Sequence, residues 1–267
     1  MIQYKLAILR YPEKFNIVSS SDLNLTLRQG LLPENVSGLS SLERLDLRSN
    51  ELEVIESVNL TELDLSMKNL SGSIPEEFSK LKNLELLNLF LNHLTGEMSL
   101  AELGLHSKLE AFEVSRNQFT GNLQENLCSG KCLTGVVAFL NNLTGEIPKS
   151  LGDCASVQLY GNKFTGEVPL GLWTCMNMKN LMLSDNLFYG HLPSKLSWNL
   201  SWLEISNNNF LGQIPVGVSS WVNLVVFKAS NNLFLGYLTV ELTSLLQLTT
   251  LNLDGNLLYS ELPVEVA

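Results

Sequence analysis

Asparagines recur along this chain at a nearly constant interval, and apolar residues precede each of them at the same three positions. With the asparagine counted as position 0, the apolar residues stand at −8, −5 and −3, as Leu84, Leu87 and Leu89 stand before Asn92. Most intervals are 24 or 25 residues, and in the longer gap before Asn92 the residue Lys68 takes the asparagine position. A fixed period of this length is typical of a solenoid of stacked coils. The recurring asparagines are Asn50, Asn92, Asn117, Asn141, Asn162, Asn186, Asn208, Asn232 and Asn256.

The pattern L-x-x-L-x-L-x-x-N-x-L is the signature of the leucine-rich repeat. A short strand points its two apolar residues inward and the residues between them outward. Each asparagine amide is expected to bond backbone groups of neighbouring coils, so that stacked units form a ladder of structural asparagines. One coil cannot bury its own apolar face, whereas stacked coils share a core. The fold class predicted is therefore an α/β repeat, a right-handed leucine-rich-repeat solenoid with a parallel β-sheet on its concave face and a convex side of short 3-10 or irregular segments.

The repeats also predict the domain organisation. Ten units are readable from Leu42 onward, and a weaker unit around Leu23 precedes them. We expect a non-repeat segment at 1–20 and a solenoid of about ten to eleven units at 21–267, whose last unit begins at Leu248 and is truncated. The interval from Asn141 to Asn162 is only 21 residues. The spacing predicts that three residues are missing from the turn before Cys154, which then takes the −8 position.

A second phrase follows each asparagine and carries a resemblance to a known family. It reads LSGSIP at 70–75 and LTGEIP at 143–148, with the variants FTGEVP, FYGHLP and FLGQIP further on. Glycine permits unusual dihedrals, and the apolar residue before proline suits a second extended strand. L-x-G-x-I-P in a repeat of about 24 residues resembles the plant-specific class of leucine-rich repeats. The phrases HSKLEAFEVSRNQFTGNLQENLC, NNLTGEIPKSLGDC, WNLSWLEISNNNFLGQIP and ELTSLLQLTTLNLDGNLL resemble ectodomains of HAESA-like receptor kinases.

That resemblance implies a function and partners. Members of the family sense a small secreted peptide at the extracellular face of the plasma membrane and signal by recruiting a leucine-rich-repeat co-receptor kinase. Some members bind the peptide carboxylate with an R-x-R pair, but the corresponding strand here, Val157 to Tyr160, has no arginine. We expect no such fork in this chain. The chain shows no recognisable signal peptide or membrane helix, since Leu6 to Leu9 is too short an apolar stretch and no run of about 18 apolar residues occurs.

Composition excludes several classes of function. The chain has 27 acidic and 17 basic residues, and a net charge of −10 argues against a nucleic-acid partner. No phosphate-binding glycine loop or kinase catalytic motif occurs, so we expect no enzyme activity and no catalytic residues. Four cysteines and three scattered histidines lack the spacing of a zinc site. We therefore expect neither a metal nor a cofactor.

The outward residues of the strands are the candidate binding surface, because solenoids of this kind bind through their concave face. Aromatic residues fall together at Phe90, Phe139 and Tyr160, two positions before an asparagine. An exposed aromatic row flanked by acids suits an extended peptide that carries some positive charge. The predicted ligand-binding residues are Leu86, Phe90, Glu113, Phe139, Gln158, Tyr160, Met182, Trp202 and Glu204.

Asn-x-Ser/Thr sequons predict glycosylation if the chain enters the secretory route. They begin at Asn24, Asn35, Asn59, Asn69, Asn142 and Asn199. Three functional classes remain open from the sequence. The first is the ligand-binding ectodomain fragment of a receptor-like serine/threonine kinase. The second is a secreted inhibitor of a cell-wall-degrading enzyme, of the polygalacturonase-inhibiting type. The third is a decayed, truncated receptor copy.

Overall fold

The computed structural model describes residues 22–24, 44–46, 61–67, 69–74, 81, 83–98, 108–128 and 133–259. Nineteen strands lie in these ranges, most of them three to five residues long. In chain order they are β1 (Asp22–Asn24), β2 (Arg44–Asp46), β3 (Glu62–Asp64), β4 (Ser71–Gly72), β5 (Leu86–Asn88), β6 (His93–Leu94), β7 (Ala111–Glu113), β8 (Gly135–Val137), β9 (Thr144–Gly145), β10 (Ser156–Gln158), β11 (Lys163–Glu167), β12 (Asn180–Met182), β13 (Leu187–His191), β14 (Trp202–Glu204), β15 (Asn209–Gly212), β16 (Val226–Lys228), β17 (Leu233–Gly236), β18 (Thr250–Asn252) and β19 (Leu257–Leu258).

Every coil contributes one strand to a long parallel sheet, which we call the main sheet. Its order is β1-β2-β3-β5-β7-β8-β10-β12-β14-β16-β18, so neighbouring strands of the sheet come from successive coils. Equivalent positions pair directly, as in Leu87 with Phe112 and Phe112 with Val136. The leucine-rich-repeat solenoid predicted from the sequence is thereby confirmed.

The second phrase of the coils from Asn141 onward forms a smaller parallel sheet, the lateral sheet, in the order β19-β17-β15-β13-β11-β9, and β4 and β6 of two earlier coils form a separate two-stranded sheet. Short helical turns then lead to the next coil. One is a five-residue α-helix, α1 (Leu170–Thr174), and four are 3-10 turns at Glu125–Cys128, Lys149–Asp153, Val216–Ser220 and Val240–Ser244. They supply the short convex segments that the spacing predicts.

The core lies between the two sheets and the helical turns. The residues at −8, −5 and −3 are buried in every described coil up to Ala229. A row of phenylalanines at position +2 runs through the interior, with Phe188 and Phe210 ring centroids 6.4 Å apart and Phe210 and Phe234 also 6.4 Å apart. Each ring fills the space between two coils, so the repeat period and the core packing are set by the same residues.

The asparagines lie where the chain leaves the main sheet, and each bonds to two coils. The Nδ2 atom of Asn186 donates to the carbonyl of Leu183 in its own coil at 3.1 Å and to that of Leu159 in the preceding coil at 3.0 Å. Its Oδ1 atom accepts from the backbone N–H of Phe164 at 3.0 Å. The same pattern holds for Asn92, Asn117, Asn141, Asn162, Asn208, Asn232 and Asn256. Asn50 lies outside the described residues, as do residues 1–20 and 260–267.

The coil with the 21-residue interval is shortened on its helical side. Its 3-10 turn ends at Asp153, and Cys154 follows at once as the fully buried −8 residue. The coil after Pro215 has three more residues, Trp221, Val222 and Asn223, between the end of its turn and Leu224. The strand β10 still pairs in register with β8 and β12, so the main sheet continues through the shortened coil without a break.

Candidate ligand-binding face of the main sheet

Three rows of side chains point away from the core along the main sheet. They occupy positions −6, −4 and −2 before each asparagine, and alternation along each strand leaves the −5 and −3 residues inside. The burial of strands such as β5, β7 and β10 follows this alternation, with a buried central residue and half-buried neighbours. Because equivalent positions pair directly, each row brings together residues that are about one repeat apart in sequence.

An aromatic pair occupies the −2 row. The rings of Phe139 and Tyr160 stack face to face, with centroids 4.4 Å apart and planes 8° from parallel. Both side chains are half-buried. Phe90 belongs to the same row but lies two coils from Phe139, with the buried Ser115 between them. The pair therefore presents one joint apolar surface, and Phe90 is a separate aromatic contact.

The residue at position −1 extends this surface because its backbone is left-handed. The φ angle is 53° at Leu91, 55° at Arg116 and 52° at Leu140, values that bulky residues rarely adopt. The next coil has Gly161 at this position, where a Cβ atom would lie 2.6 Å from Leu140 Cδ2. Glycine thus leaves room for the exposed Leu140 side chain to lie across the coil that carries Tyr160. Position −1 is left-handed in every described coil from Met67 to Gly255, so this conformation belongs to the repeat and is not specific to the aromatic pair.

A half-buried carboxylate lies in the −4 row beside the aromatic pair. Glu113 Oε1 accepts a hydrogen bond from the backbone N–H of Ser115 at 2.9 Å and another from the Ser115 hydroxyl. Burial raises the pKa of Glu113 above its usual range, and the hydrogen bonds from Ser115 oppose that shift. The pKa of Tyr160 is also raised by its burial; the charge of Arg116 lowers it, and the charges of Glu204 and Glu113 raise it further.

A second cluster lies further along the solenoid, on β14 and β16. The Trp202 indole N–H donates to Glu204 Oε1 at 2.9 Å, and Lys228 Nζ donates to the same oxygen at 2.6 Å. The ammonium group of Lys228 also lies 5.8 Å from the centre of the Trp202 ring. Lys228 and Trp202 together fix the position of the Glu204 carboxylate. A ligand would therefore contact this carboxylate as part of its ion pair with Lys228.

Beyond the aromatic pair the −2 and −1 rows become polar. The hydroxyl of Ser206 accepts from the backbone N–H of Ser230 at 3.1 Å, and the Ser230 hydroxyl donates to Asp254. In the −1 row the side-chain amide of Asn207 donates to Asp185 at 2.7 Å, and that of Asn231 donates to Asn207 at 2.7 Å. The face thus changes along the solenoid from an aromatic half to a hydrogen-bonded polar half.

The main sheet carries all nine predicted ligand-binding residues on its outward rows. The −6 row holds Leu86 and Trp202, the −4 row holds Glu113, Gln158, Met182 and Glu204, and the −2 row holds Phe90, Phe139 and Tyr160. Arg116 and Lys228 belong to the same surface and are absent from the predicted set. Arg116 could have been found by including position −1 among the candidate positions. Lys228 could have been found because it and Glu204 are oppositely charged neighbours in the −4 row.

The sequons are distributed over both sides of the coils. Asn69 is exposed, and Asn142 and Asn199 are half-buried. Asn24 lies in β1, where only the backbone is described, and Asn35 and Asn59 lie outside the described residues. Their glycosylation remains a prediction.

Comparison with known proteins supports the fold and relates it to a group of receptors. The family model for the leucine-rich repeat matches residues 59–81 and 199–221. No curated protein matches the chain. Among solved structures, the Arabidopsis receptor kinase HAESA, in complex with the peptide hormone IDA and the co-receptor SERK1, is 34% identical with a TM-score of 0.81. The similarity covers 86% of this chain and 40% of that one.

Two further structures show how widely this fold is used. A TDR receptor is 27% identical, with a TM-score of 0.77 over 92% of this chain and 49% of that chain. A plant ice-binding protein is 26% identical, with a TM-score of 0.66 over 91% of this chain and 74% of that chain. The chain spans less than half the length of the receptor chains that it matches. Within the described ranges, none of the helices is long and apolar enough to cross a membrane.

Proposed function

We propose that this leucine-rich-repeat chain is part of the ligand-binding ectodomain of a plant cell-surface receptor-like serine/threonine kinase, and that it binds a small secreted peptide. The stacked rings of Phe139 and Tyr160 on the outward face of the main sheet are the observation that carries this proposal. Half-buried aromatic surface flanked by polar groups is typical of a peptide-binding groove. Support comes from HAESA, a similar structure that holds the peptide hormone IDA.

The geometry favours a peptide that lies along the solenoid and crosses the strands. Phe139 and Tyr160 would accept apolar side chains of the peptide, and Gln158 in the neighbouring row offers an amide to its backbone. Trp202 lies two strands beyond Tyr160, about 10 Å across the sheet, and four positions earlier in its coil, about 13 Å along the strand direction, so the two are about 16 Å apart. An extended peptide covers that distance in about five residues. The peptide would therefore place one anchor on the aromatic pair and a second, about five residues away, on the Trp202 cluster.

The negative charge of the protein predicts that its peptide ligand is basic. The face carries Glu113 and Glu204, and the whole chain has a net charge of −10, so a peptide with basic residues is attracted at long range. Lys228 already holds Glu204 at 2.6 Å, and a basic group of the peptide would have to compete with it there. In the longer receptor, a leucine-rich-repeat co-receptor kinase would then join the bound peptide, as SERK1 is present with HAESA and IDA.

Calorimetric titration of the chain with synthetic IDA and AtPEP1 peptides tests the proposal, since both hormones occur in complexes with similar receptors. We expect Phe139→Ser together with Tyr160→Ser to weaken binding by roughly tenfold to a hundredfold, because buried aromatic anchors contribute most of the binding energy. Phe90→Ser should have a smaller effect because it lies two coils away.

The matched control removes two tyrosines from elsewhere. Tyr189→Ser with Tyr237→Ser takes exposed rings off the lateral sheet and should leave peptide affinity unchanged. Equal affinity of the Phe139 and Tyr160 variant and the wild type would contradict the site. Failure of the wild-type chain to bind either peptide would contradict its role as a receptor for these hormones.

A further inference from the structure

The outward residues that follow the asparagines change character halfway along the solenoid. At position +3 after the asparagine, four successive coils have threonine, and the next four have Tyr189, Leu211, Leu235 and Tyr259. The threonines are Thr95, Thr120, Thr144 and Thr165. This position points away from the core in both halves, so neither packing nor the repeat consensus requires the change. Tyr189 and Tyr259 are 46% and 56% exposed.

The apolar positions form one continuous surface because the lateral strands are staggered. Each strand is displaced by two residues from its neighbour, so that Leu211 pairs with Leu233 and Leu235 pairs with Leu257. The same stagger brings the Tyr237 and Tyr259 rings into an edge-to-face contact, with centroids 4.9 Å apart. We call the six residues Tyr189, Leu211, Leu233, Leu235, Tyr237 and Tyr259 the lateral patch.

The lateral patch has no charged side chain. The outward positions +1, +3 and +5 of the coils after Asn186, Asn208 and Asn232 contain no aspartate, glutamate, lysine or arginine, whereas the coil that carries Tyr259 has Glu261 at position +5 of its sequence. The same positions in the threonine half include Glu97, Glu146 and Glu167. One sequon, at Asn142, occupies position +1 of a threonine coil, another, at Asn69, occupies the same position in the coil before the first threonine coil, and none begins at an outward position of the patch. Glycans at those sites would cover the polar half and leave the patch bare.

We propose that the lateral patch is a self-association surface, through which two copies of this chain meet face to face across a two-fold axis. A chain with a net charge of −10 repels its own copy, and self-association favours a surface on which no like charges meet. The patch is such a surface. Partners recognised through charge would find nothing complementary on it, whereas a second copy brings the same leucine and tyrosine side chains.

The size of the patch predicts a weak dimer. Four strands about 4.8 Å apart give a surface of a few hundred Å² for each copy. A stable interface buries about 800 Å² on each partner, and smaller interfaces are transient. The expected dissociation constant is therefore in the micromolar range or weaker. The patch lies on a different sheet from the peptide-binding face, so the two proposals can fail separately.

Sedimentation velocity of the whole chain between about 1 and about 100 µM, the range in which a weak interface of this size dissociates, tests the proposal. The decisive variant replaces the four apolar residues at position +3 by threonine, which the other four coils have at that position. Its substitutions are Tyr189→Thr, Leu211→Thr, Leu235→Thr and Tyr259→Thr. Because threonine already occupies this strand position in the same protein, circular dichroism should show an unchanged fold. We expect the wild-type mass to rise with concentration towards a dimer and the variant to remain monomeric.

The matched control removes as much exposed apolar surface from the helical side, by Met176→Thr, Val216→Thr, Val222→Thr and Leu246→Thr. This control should associate as the wild type does. A wild type that is monomeric throughout would overturn the proposal, as would a threonine variant that associates or precipitates as readily as the wild type. Binding of IDA, measured in parallel, should be equal in all three proteins if the wild type binds it.

Discussion

At the scale of single residues, each ladder asparagine links two coils through hydrogen bonds that an apolar side chain cannot form. Asn186 is buried and donates to the carbonyls of Leu159, Leu183 and Ser184, while it accepts from the Phe164 N–H. The Leu159 and Leu183 carbonyls lie where the chain leaves the main sheet, the Ser184 carbonyl also accepts from the Gly161 N–H, and Phe164 lies in β11 of the lateral sheet. The side chain therefore links the end of the main-sheet strand to the lateral sheet of the preceding coil.

Replacing Asn186 by alanine should remove these bonds and leave the buried Phe164 N–H without a partner. We expect a loss of about 2–4 kcal/mol in the free energy of unfolding, since each buried unsatisfied group costs about 1–3 kcal/mol. Urea denaturation measures the loss. Asn209→Ala is the control, because that side chain is exposed on β15 and the change should cost less than about 0.5 kcal/mol. A similar midpoint for the two variants would contradict a structural role of the ladder.

The residues of the ladder and of the core could be predicted from the sequence because the same residue types recur at the same positions in successive repeats. Cys154 was predicted at the −8 position by counting back from Asn162, and it is fully buried there. The stacking of Phe139 on Tyr160 and the pairing of Lys228 with Glu204 depend on side-chain conformations that spacing does not determine. For the same reason the sequence predicted one cluster of three aromatics, whereas only two of the rings stack.

At the scale of elements, the shortened coil survives because its helical turn packs closely against the next one. The 3-10 turn Lys149–Asp153 meets α1 through two glycines. A Cβ atom at Gly152 would lie 3.3 Å from the Cα and carbonyl carbon of Gly171, and a Cβ atom at Gly171 would lie 3.5 Å from the Gly152 Cα. Backbone therefore lies on backbone between these two turns, as it also does in a longer coil, where a Cβ atom at Gly217 would overlap the Ser194 carbonyl oxygen.

Gly152→Ala should destabilise the protein by about 1–2 kcal/mol, because the added methyl group meets backbone atoms that cannot rotate away. Gly135→Ala is the same change in β8, where the nearest atom, the Ser156 carbonyl oxygen, is 3.7 Å from the added Cβ. That control should be neutral or slightly stabilising, since alanine restricts the unfolded chain more than glycine does. Thermal unfolding of both variants measures the difference. Equal melting temperatures would show that the two turns are free to separate.

The elements differ in how far the sequence specifies them. The main-sheet strands follow from the apolar period, and their direct register follows from the near-constant interval. The two-residue stagger of the lateral sheet has no counterpart in the repeat, because equivalent positions of successive coils are not the ones that pair. The contact between Tyr237 and Tyr259 results from that stagger and could not be read from the column of +3 residues alone.

At the scale of the whole molecule, each coil is stabilised only by the coils on either side. Phe227 and Ala229 in the coil of β16 are fully buried between two neighbours. The equivalent Leu251 and Leu253 in the coil of β18, the last main-sheet strand described, are 39% exposed and half-buried. In a solenoid the stability is approximately a sum of coil terms and nearest-neighbour interfaces, so a coil with fewer buried contacts opens locally before its neighbours do.

Hydrogen–deuterium exchange should therefore show a gradient along the solenoid. Amides of β18 should exchange at least roughly tenfold faster than those of β16, since each tenfold corresponds to about 1.4 kcal/mol of lost local stability. Peptides that cover β10, β12, β14 and β16 should exchange slowly, because these strands are paired on both sides and their central residues, Val157, Leu181, Leu203 and Phe227, are fully buried. Equal protection from β10 to β18 would mean that the coils unfold as one cooperative unit, and the stability of each coil would then depend on the entire array and not on its two neighbours.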